Sequence, residues 1–497
     1  MIHSFSSINT PSIIMPSLKK SHFLLIVILG FLLSMIFRAE SDYTLMYYIS
    51  NFIGISIMFS IFILPLKYIV YPIYILITTM PDITQSFEGE EILVASLWQI
   101  SLGPITPALF IYFFLLVVIF RLFTFTRLNS YKVVLLYFLI IPTLTSLFYG
   151  FLNESIFRFI ADAKVPIFFI GGLLLFSSYY RKFPRELIIS CQVFLALALG
   201  NFILDTLKLF FNNSDSISLS VNNLSFDSAK GLITIFTFWG IAKIVENKNL
   251  TFSIITIIIT MYLMFAYQTR WLIVTFIFGL FLITTLQEFK KMFNIFLSIT
   301  LVLIMLIPII KKFTPEVIQI SLLRFSFLEN LSKKSTLMDI DVVRAGSIYN
   351  SLNLLWEKNA FLTGMGYGSW YNDSNFPMPN LTTSAFDEES LRLGKYYRIH
   401  DFFFHFLFKF GLIGVWLYIE AFVKPLRQIW KFRQQIRKNF YSLKVSIMIF
   451  GLSPLVITYM YWTGKGLLIS ALYIVITYEW VKYFANVSDN KKCTVSA

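Results

Sequence analysis

The stretch RIHDFFFHFLFKFGLIGVWLY (398–418) begins with an arginine, a histidine and an aspartate and then runs into apolar sequence. Two of the chain's four histidines, His400 and His405, lie within it. Its apolar part continues to about residue 423, roughly the length that carries a helix across 30 Å of hydrocarbon. The polar head therefore marks the point where a helix enters the membrane. The phenylalanines that follow read as the start of that span at the level of the lipid.

The same pattern recurs along the whole chain. Hydrophobic residues make up 57% of the sequence, aromatics 18% and charged residues only 14%, against about 25% charged in a soluble domain. Apolar runs occupy 23–37, 45–66, 68–80, 103–120, 133–152, 163–180, 187–211, 229–245, 250–269, 271–286, 292–310, 401–423, 441–462 and 466–485. These runs predict an all-α, polytopic transmembrane helical bundle of about 14 spans, or roughly 12 or 13 if the short 68–80 run is re-entrant. Lys19 and Lys20 precede the first run, which ends at RAESD (38–42) with no small-x-small cleavage site, so it reads as a retained span. Cys191 and Cys493 imply neither a disulfide framework nor a thiolate metal site. The net charge of +14 fits membrane orientation and does not call for nucleic acid as a partner.

Charge sets the expected topology. One alternating set of connections carries RLFTFTRLNSYK (121–132), RKFPRE (181–186), EFKK (288–291) and KPLRQIWKFRQQIRK (424–438). The other set, NES (153–155), NNSDSISLSVNN (212–223) and TGKG (463–466), is poor in Lys and Arg. The positive-inside rule then puts both termini in the cytosol. Three parts follow: residues 1–310 with about 11 spans, an outer loop 311–400, and residues 401–497 with about three spans. The loop, about 90 residues long, is long enough to carry structure of its own. PEVIQISLLRFSFLEN (315–330) and DVVRAGSIYNSLNLLWEK (341–358) have helical apolar spacing and suggest amphipathic helices at the membrane surface. TGMGYGSW (363–370) breaks that spacing with three glycines, which allow backbone angles other residues avoid.

On this topology Arg270, Arg344, His400 and Asp401 meet at the outer face. Arginine offers a planar fork that matches phosphate oxygens, and histidine can take a proton near neutral pH. Each has a plainer reading: Arg270 as a hairpin anchor, Arg344 as a headgroup contact, His400 as an interfacial cap. His405 lies about 140° around a helix from His400, so the two do not share a face. His405 reads as a packing or hydrogen-bonding residue. Asp205, Lys208, Lys409 and Glu420 fall toward span ends, where charged side chains can snorkel.

NAFLTGMGYGSW (359–370) followed by HDFFFHFLFKFGLIGVWLY (400–418) resembles the superfamily of O-antigen polymerases (Wzy-type) and O-antigen ligases. Gly364, Gly366 and Gly368 match that family's glycine turn. His400 and GLIG (411–414) match its histidine and the Gly-Leu-Ile-Gly that follows. QTRWLIVTFIFG (268–279) looks like its Ser-Arg-Gly segment, and RAGSIYNSLNLLWEKNAFLTG (344–364) like its arginine-bearing helix. The resemblance covers roughly 250–425. Asp401 stands where the family usually has Asn, and Lys230 is the only cation in NNLSFDSAKGLI (222–233), where relatives carry an arginine.

The resemblance implies an inverting glycosyltransfer that needs no metal or other cofactor, at the periplasmic face of the bacterial inner membrane. Arg270 and Arg344 would hold the pyrophosphate of an undecaprenyl-pyrophosphate-linked oligosaccharide, and His400 would act as general base. Arg398, Asp401, Lys230 and the three glycines would complete the substrate site. The implied partners are that lipid-linked donor, membrane lipid, a chain-length regulator and a flippase. The divergent, tyrosine-rich chain looks more like a polymerase than a ligase, which would use the same donor and transfer to lipid A-core. Two further classes remain open on the residues. DID (339–341), EGEE (88–91) and DEES (387–390) could serve a metal-dependent transferase through carboxylate oxygens. A flippase or transporter would place ionisable groups near the midplane.

Overall fold

The computed structural model describes residues 18–37, 45–80, 85–87, 90–92, 129–154, 156–184, 186–211, 251, 254–259, 342–378, 388–399, 401–433, 468–479 and 482. The described architecture is helical, with one short antiparallel hairpin, β1 (Gln85–Phe87) and β2 (Glu90–Ile92), in which Ser86 pairs with Glu91.

The first helices form a tightly crossed layer. α1 (Lys20–Phe37), α2 (Leu45–Ile63) and α3 (Val70–Thr79) precede α4 (Asn129–Phe148), the single turn α5 (Phe151–Glu154), α6 (Ile156–Lys182) and α7 (Glu186–Phe211). α1 packs along α7 where Gly30 and Gly200 face each other's backbone. A Cβ on Gly30 would stand 2.6 Å from the Leu197 carbonyl oxygen, and one on Gly200 would collide with the Val27 carbonyl. Glycine at both positions lets the two backbones meet, as small residues do between membrane helices. The opposite face of α1 exposes Leu24, Leu25, Ile28, Leu29, Leu32 and Met35. An apolar face of this size is unfavourable in water and suited to lipid. Pro65 follows α2, and a 3-10 turn (Leu66–Tyr68) leads into α3, whose ten residues are mostly buried.

Every residue of α6 from Phe169 to Tyr180 is buried, so this helix forms the centre of the described bundle. Its two ends are fixed by ion pairs. Arg181 Nε lies 3.3 Å from Glu479 on α11 (Leu468–Glu479), and beyond the C-terminal end of α6, Lys67 lies 3.0 Å from Glu186. At the other end Glu154 pairs with Lys395 at 2.7 Å, and Asp162 with Lys409 at 2.6 Å.

The loop helix expected over 341–358 is α8 (Val342–Glu357), followed by α9 (Glu388–Leu393). The last long helix, α10 (Phe402–Lys431), differs from expectation in three ways. It does not stop at 423: it continues into the basic segment, where Arg427 reaches Glu420 at 2.8 Å. Lys, Arg and Gln are good helix formers, so polarity there ends the apolar run without ending the helix. Phe406, Phe408 and Phe410, expected at the level of the lipid, are buried instead. Phe403 is exposed, but every residue from His405 to Gly411 is buried: Phe406 and Phe410 pack against each other and edge-on to Phe138, Phe406 also meets Tyr418, and Phe408 meets Tyr371 edge-on. Finally, Lys409 does not snorkel; its side chain is 0% exposed.

Among the described residues two helical segments, Lys20–Phe37 and Phe403–Glu420, are long and apolar enough to cross a membrane. The runs expected at 103–120, 229–245, 271–286, 292–310 and 441–462, most of 250–269, and the loop helix at 315–330 lie outside the described residues.

Candidate functional site

The glycine turn and α10 are built into one another. Gly411 has φ 67° and ψ −178°, a backbone region that is essentially glycine-only. It divides α10 in two. In an unbroken helix the N–H groups of Leu412 and Ile413 would donate to the carbonyls of Phe408 and Lys409. Instead the Leu412 and Ile413 N–H groups donate to the Phe361 and Leu362 carbonyls at 2.8 and 3.2 Å. The freed carbonyls of Phe408 and Lys409 accept from Met365 and Gly366 N–H at 2.8 and 2.9 Å. The next carbonyl, Phe410, accepts the Tyr137 hydroxyl at 2.5 Å. Backbone N–H and C=O groups freed by such a break need new partners, and this exchange supplies them.

The chain reaches that position by a turn at the end of α8. Asn359 adopts φ 53°, and Gly364, Gly366 and Gly368 adopt φ 75°, 86° and 73°. Gly364 lies against Gly411, where a Cβ would come 2.5 Å from the Gly411 nitrogen. Gly366 lies on α4, where a Cβ would meet Thr145 Oγ1 at 2.5 Å and Ser146 N at 2.6 Å. The α4 surface there is shaped by Pro142, which has no N–H and so leaves the Phe138 carbonyl without its helical donor. The Tyr367 hydroxyl donates to that carbonyl at 2.5 Å. The Tyr367 carbonyl accepts from Ser146 Oγ at 2.6 Å. One tyrosine thus repairs the proline defect and ties the glycine turn to α4.

Beyond the turn the polar residues converge. Asp162, in the second turn of α6, accepts from Lys409 Nζ at 2.6 Å and from Gly368 N–H at 2.8 Å. Lys409 also donates to the Ser369 carbonyl at 2.6 Å. Asp162 is 20% exposed while Lys409 is fully enclosed, so the carboxylate forms the outer lip of this node. Tyr371 and Tyr396 exchange backbone hydrogen bonds at 3.1 and 2.8 Å, bringing 396–399 alongside the turn. The Tyr371 hydroxyl, whose pKa burial raises further, donates to the Arg398 carbonyl at 2.9 Å. His405 Nδ1 accepts from Ile399 N–H at 3.3 Å, which makes it the hydrogen-bonding residue the sequence suggested. Asp401 caps α10 by accepting from Phe404 N–H at 3.1 Å.

Two arginines border this node. Arg158, one turn before Asp162 on α6, lies over the Tyr397 ring at 4.5 Å. Arg158 and Arg398 both stand near enough to act electrostatically on Lys409. Farther out, Glu154 accepts from Trp370 Nε1 at 2.8 Å and Lys395 at 2.7 Å, fastening the loop to α5.

Of the residues singled out from sequence, Gly364, Gly366, Gly368, Arg398 and Asp401 fall in this one region. Arg344 is exposed in the first turn of α8. His400, Arg270 and Lys230 lie outside the described residues, although both neighbours of position 400, Ile399 and Asp401, are placed. Arg158 and Asp162 escaped the sequence analysis, and Lys409 was read there only as a snorkelling residue near a span end, whereas its side chain is fully enclosed. The available signal was Lys409, an ionisable residue in the middle of an apolar run, which is a functional pointer by default. Among the described residues no group of three or more His, Cys, Asp or Glu could hold a metal ion. DID (339–341) and parts of the other two carboxylate clusters lie outside them.

Comparison of the chain with protein-family models, curated proteins and solved structures finds no match.

Proposed function

We propose that this protein is a polytopic inner-membrane glycosyltransferase of the O-antigen polymerase type. It extends a surface polysaccharide by transferring a growing chain from undecaprenyl pyrophosphate to the sugar hydroxyl of another lipid-linked repeat unit. His400 takes the hydroxyl proton as the oxygen attacks the anomeric carbon. The bond to pyrophosphate breaks, and the pyrophosphate leaves with its electron pair, held by Arg270 and Arg344. Arg158 and Arg398 add positive charge beside that site. General-base assistance contributes about 10²–10⁴ in rate, and charge stabilisation by the arginines adds to it.

The observation that carries this reading is the seating of the glycine turn in the break of α10. It unites two sequence motifs, 364–368 and 398–414, that the resemblance had joined only by their order. The proposed topology of about 14 spans draws support from the ion pairs. Lys67–Glu186 joins two residues that the charge rule puts in the cytosol, Arg181–Glu479 joins a cytosolic residue to the cytosolic half of the last expected span, and Glu154–Lys395 joins two that the rule puts outside.

A deletion strain tests the proposal. Where the host builds lipopolysaccharide by this route, loss of the protein should leave core and core plus one repeat unit, without a ladder. A plasmid copy should restore the ladder, and His400→Ala should not, although the protein accumulates in the membrane. Bare core with accumulated lipid-linked polymer would make the protein the ligase. An unchanged ladder would contradict both assignments.

A further inference from the structure

We propose that Asp162 and Lys409 form a positioning pair, which holds the glycine turn in register with the break in α10 and so sets where the reacting groups stand. The inference rests on the transferase reading for its kinetic part and on geometry alone for its structural part. The pair is made between α6 and the first half of α10, residues 247 apart in sequence. Enclosing Lys409 fully and Asp162 in large part is costly, and well-packed apolar residues often serve stability as well or better. Stability therefore does not account for an ion pair here. What an apolar pair could not do is bind backbone. Asp162 takes the Gly368 N–H at 2.8 Å, and Lys409 gives a hydrogen bond to the Ser369 carbonyl at 2.6 Å.

These two backbone groups follow directly on the segment that fills the helix break, and they precede Tyr371, whose hydroxyl holds the Arg398 carbonyl. The pair thus connects three elements. α6 contributes Asp162, with Arg158 one turn earlier on the same face. α10 contributes Lys409, one turn beyond His405, whose Nδ1 holds the Ile399 amide beside position 400. The turn contributes Gly368 and Ser369. Neither Asp162 nor Lys409 is assigned contact with substrate; both act through the backbone they hold.

The neutral double variant separates positioning from plain structural support. Asp162→Asn alone leaves Lys409 without its counter-ion and should lower the thermal midpoint and the folded yield. Asp162→Asn combined with Lys409→Met removes both charges and should recover the thermal midpoint. In the purified full-length protein, the recovered double variant should still turn over about 10–100-fold more slowly, with the KM for lipid-linked donor unchanged to within about twofold. Backbone amides of 364–371 should exchange hydrogen faster in it, while those of α4 and α6 stay protected. A double variant with wild-type turnover and wild-type protection of 364–371 would overturn the positioning role. If wild-type protein forms no polymer in the same assay, the transferase reading falls, and the exchange of 364–371 still decides the structural part.

Discussion

The α1–α7 crossing and the α4–α10 junction solve the burial of polar backbone in opposite ways. At the crossing both helices are unbroken, each satisfies its own hydrogen bonds, and Gly30 and Gly200 only remove side-chain bulk so that the backbones can meet. At the junction both helices are defective, α4 by Pro142 and α10 by Gly411. Each defect is filled by the same short segment, 361–367. A regular helix pair can be packed by many sequences of suitable size. A pair of broken helices requires one particular loop, because every donor and acceptor has a named partner. The junction is thus the part of the molecule in which fold and polar residues are specified together, and the cluster of Asp162, Lys409, Arg158 and Arg398 is found there.

Substitutions at the two places should behave accordingly. The largest effect is expected for Gly411→Ala. The φ of 67° with extended ψ costs a side chain roughly 1–3 kcal/mol, and the added Cβ would also collide with the Leu362 carbonyl. Folded protein in the membrane should fall sharply, as read by fluorescence-detected size exclusion. Normal yield with normal activity would mean that the break is not needed. Gly200→Ala should cost about 1–3 kcal/mol through overpacking against Val27. It should leave turnover per folded molecule unchanged, which a titration of active protein would show. Tyr367→Phe removes the donor for the Phe138 carbonyl and should cost about 1–3 kcal/mol, visible as a lower thermal midpoint with slower turnover. The smallest effect is expected at the exposed apolar face. Leu25→Ala should stay within about 0.5 kcal/mol, and a large loss there would reveal a packing partner on that face.

The sequence made one of these regions far more legible than the other. Apolar runs located α1, α4, α6, α7 and α10 because length and hydropathy act locally along the chain. The glycines at 364, 366 and 368 announced a turn, since only glycine occupies such angles freely. The end of α10 was misjudged because the apolar run and the helix stop for different reasons: the run stops at Lys424, where the basic segment begins, and the helix continues to Lys431 because lysine, arginine and glutamine are good helix formers. The phenylalanines at 406, 408 and 410 and Lys409 were misread for a deeper reason. A side chain facing lipid and one facing a packed neighbour look alike in a hydropathy pattern, and the neighbours here come from α4, α6 and the loop. Asp162 carried no signal of its own, being one carboxylate near the start of an apolar helix. His405 was read as a packing or hydrogen-bonding residue, and it is buried with its Nδ1 accepting from the Ile399 amide, although the angular spacing does not carry that reading, because α10 begins only at Phe402.

The most direct test uses purified protein in liposomes, with one chemically defined lipid-linked repeat unit as sole substrate and EDTA present. Wild-type protein should give a ladder of lipid-linked polymers, and His400→Ala should give at least about 10²-fold less at equal folded amount. Arg270→Lys and Arg344→Lys should fall between the two, because lysine keeps the charge without the bidentate fork. A ladder undiminished by His400→Ala, or one that appears only when Mg²⁺ or Mn²⁺ replaces EDTA, would contradict the account.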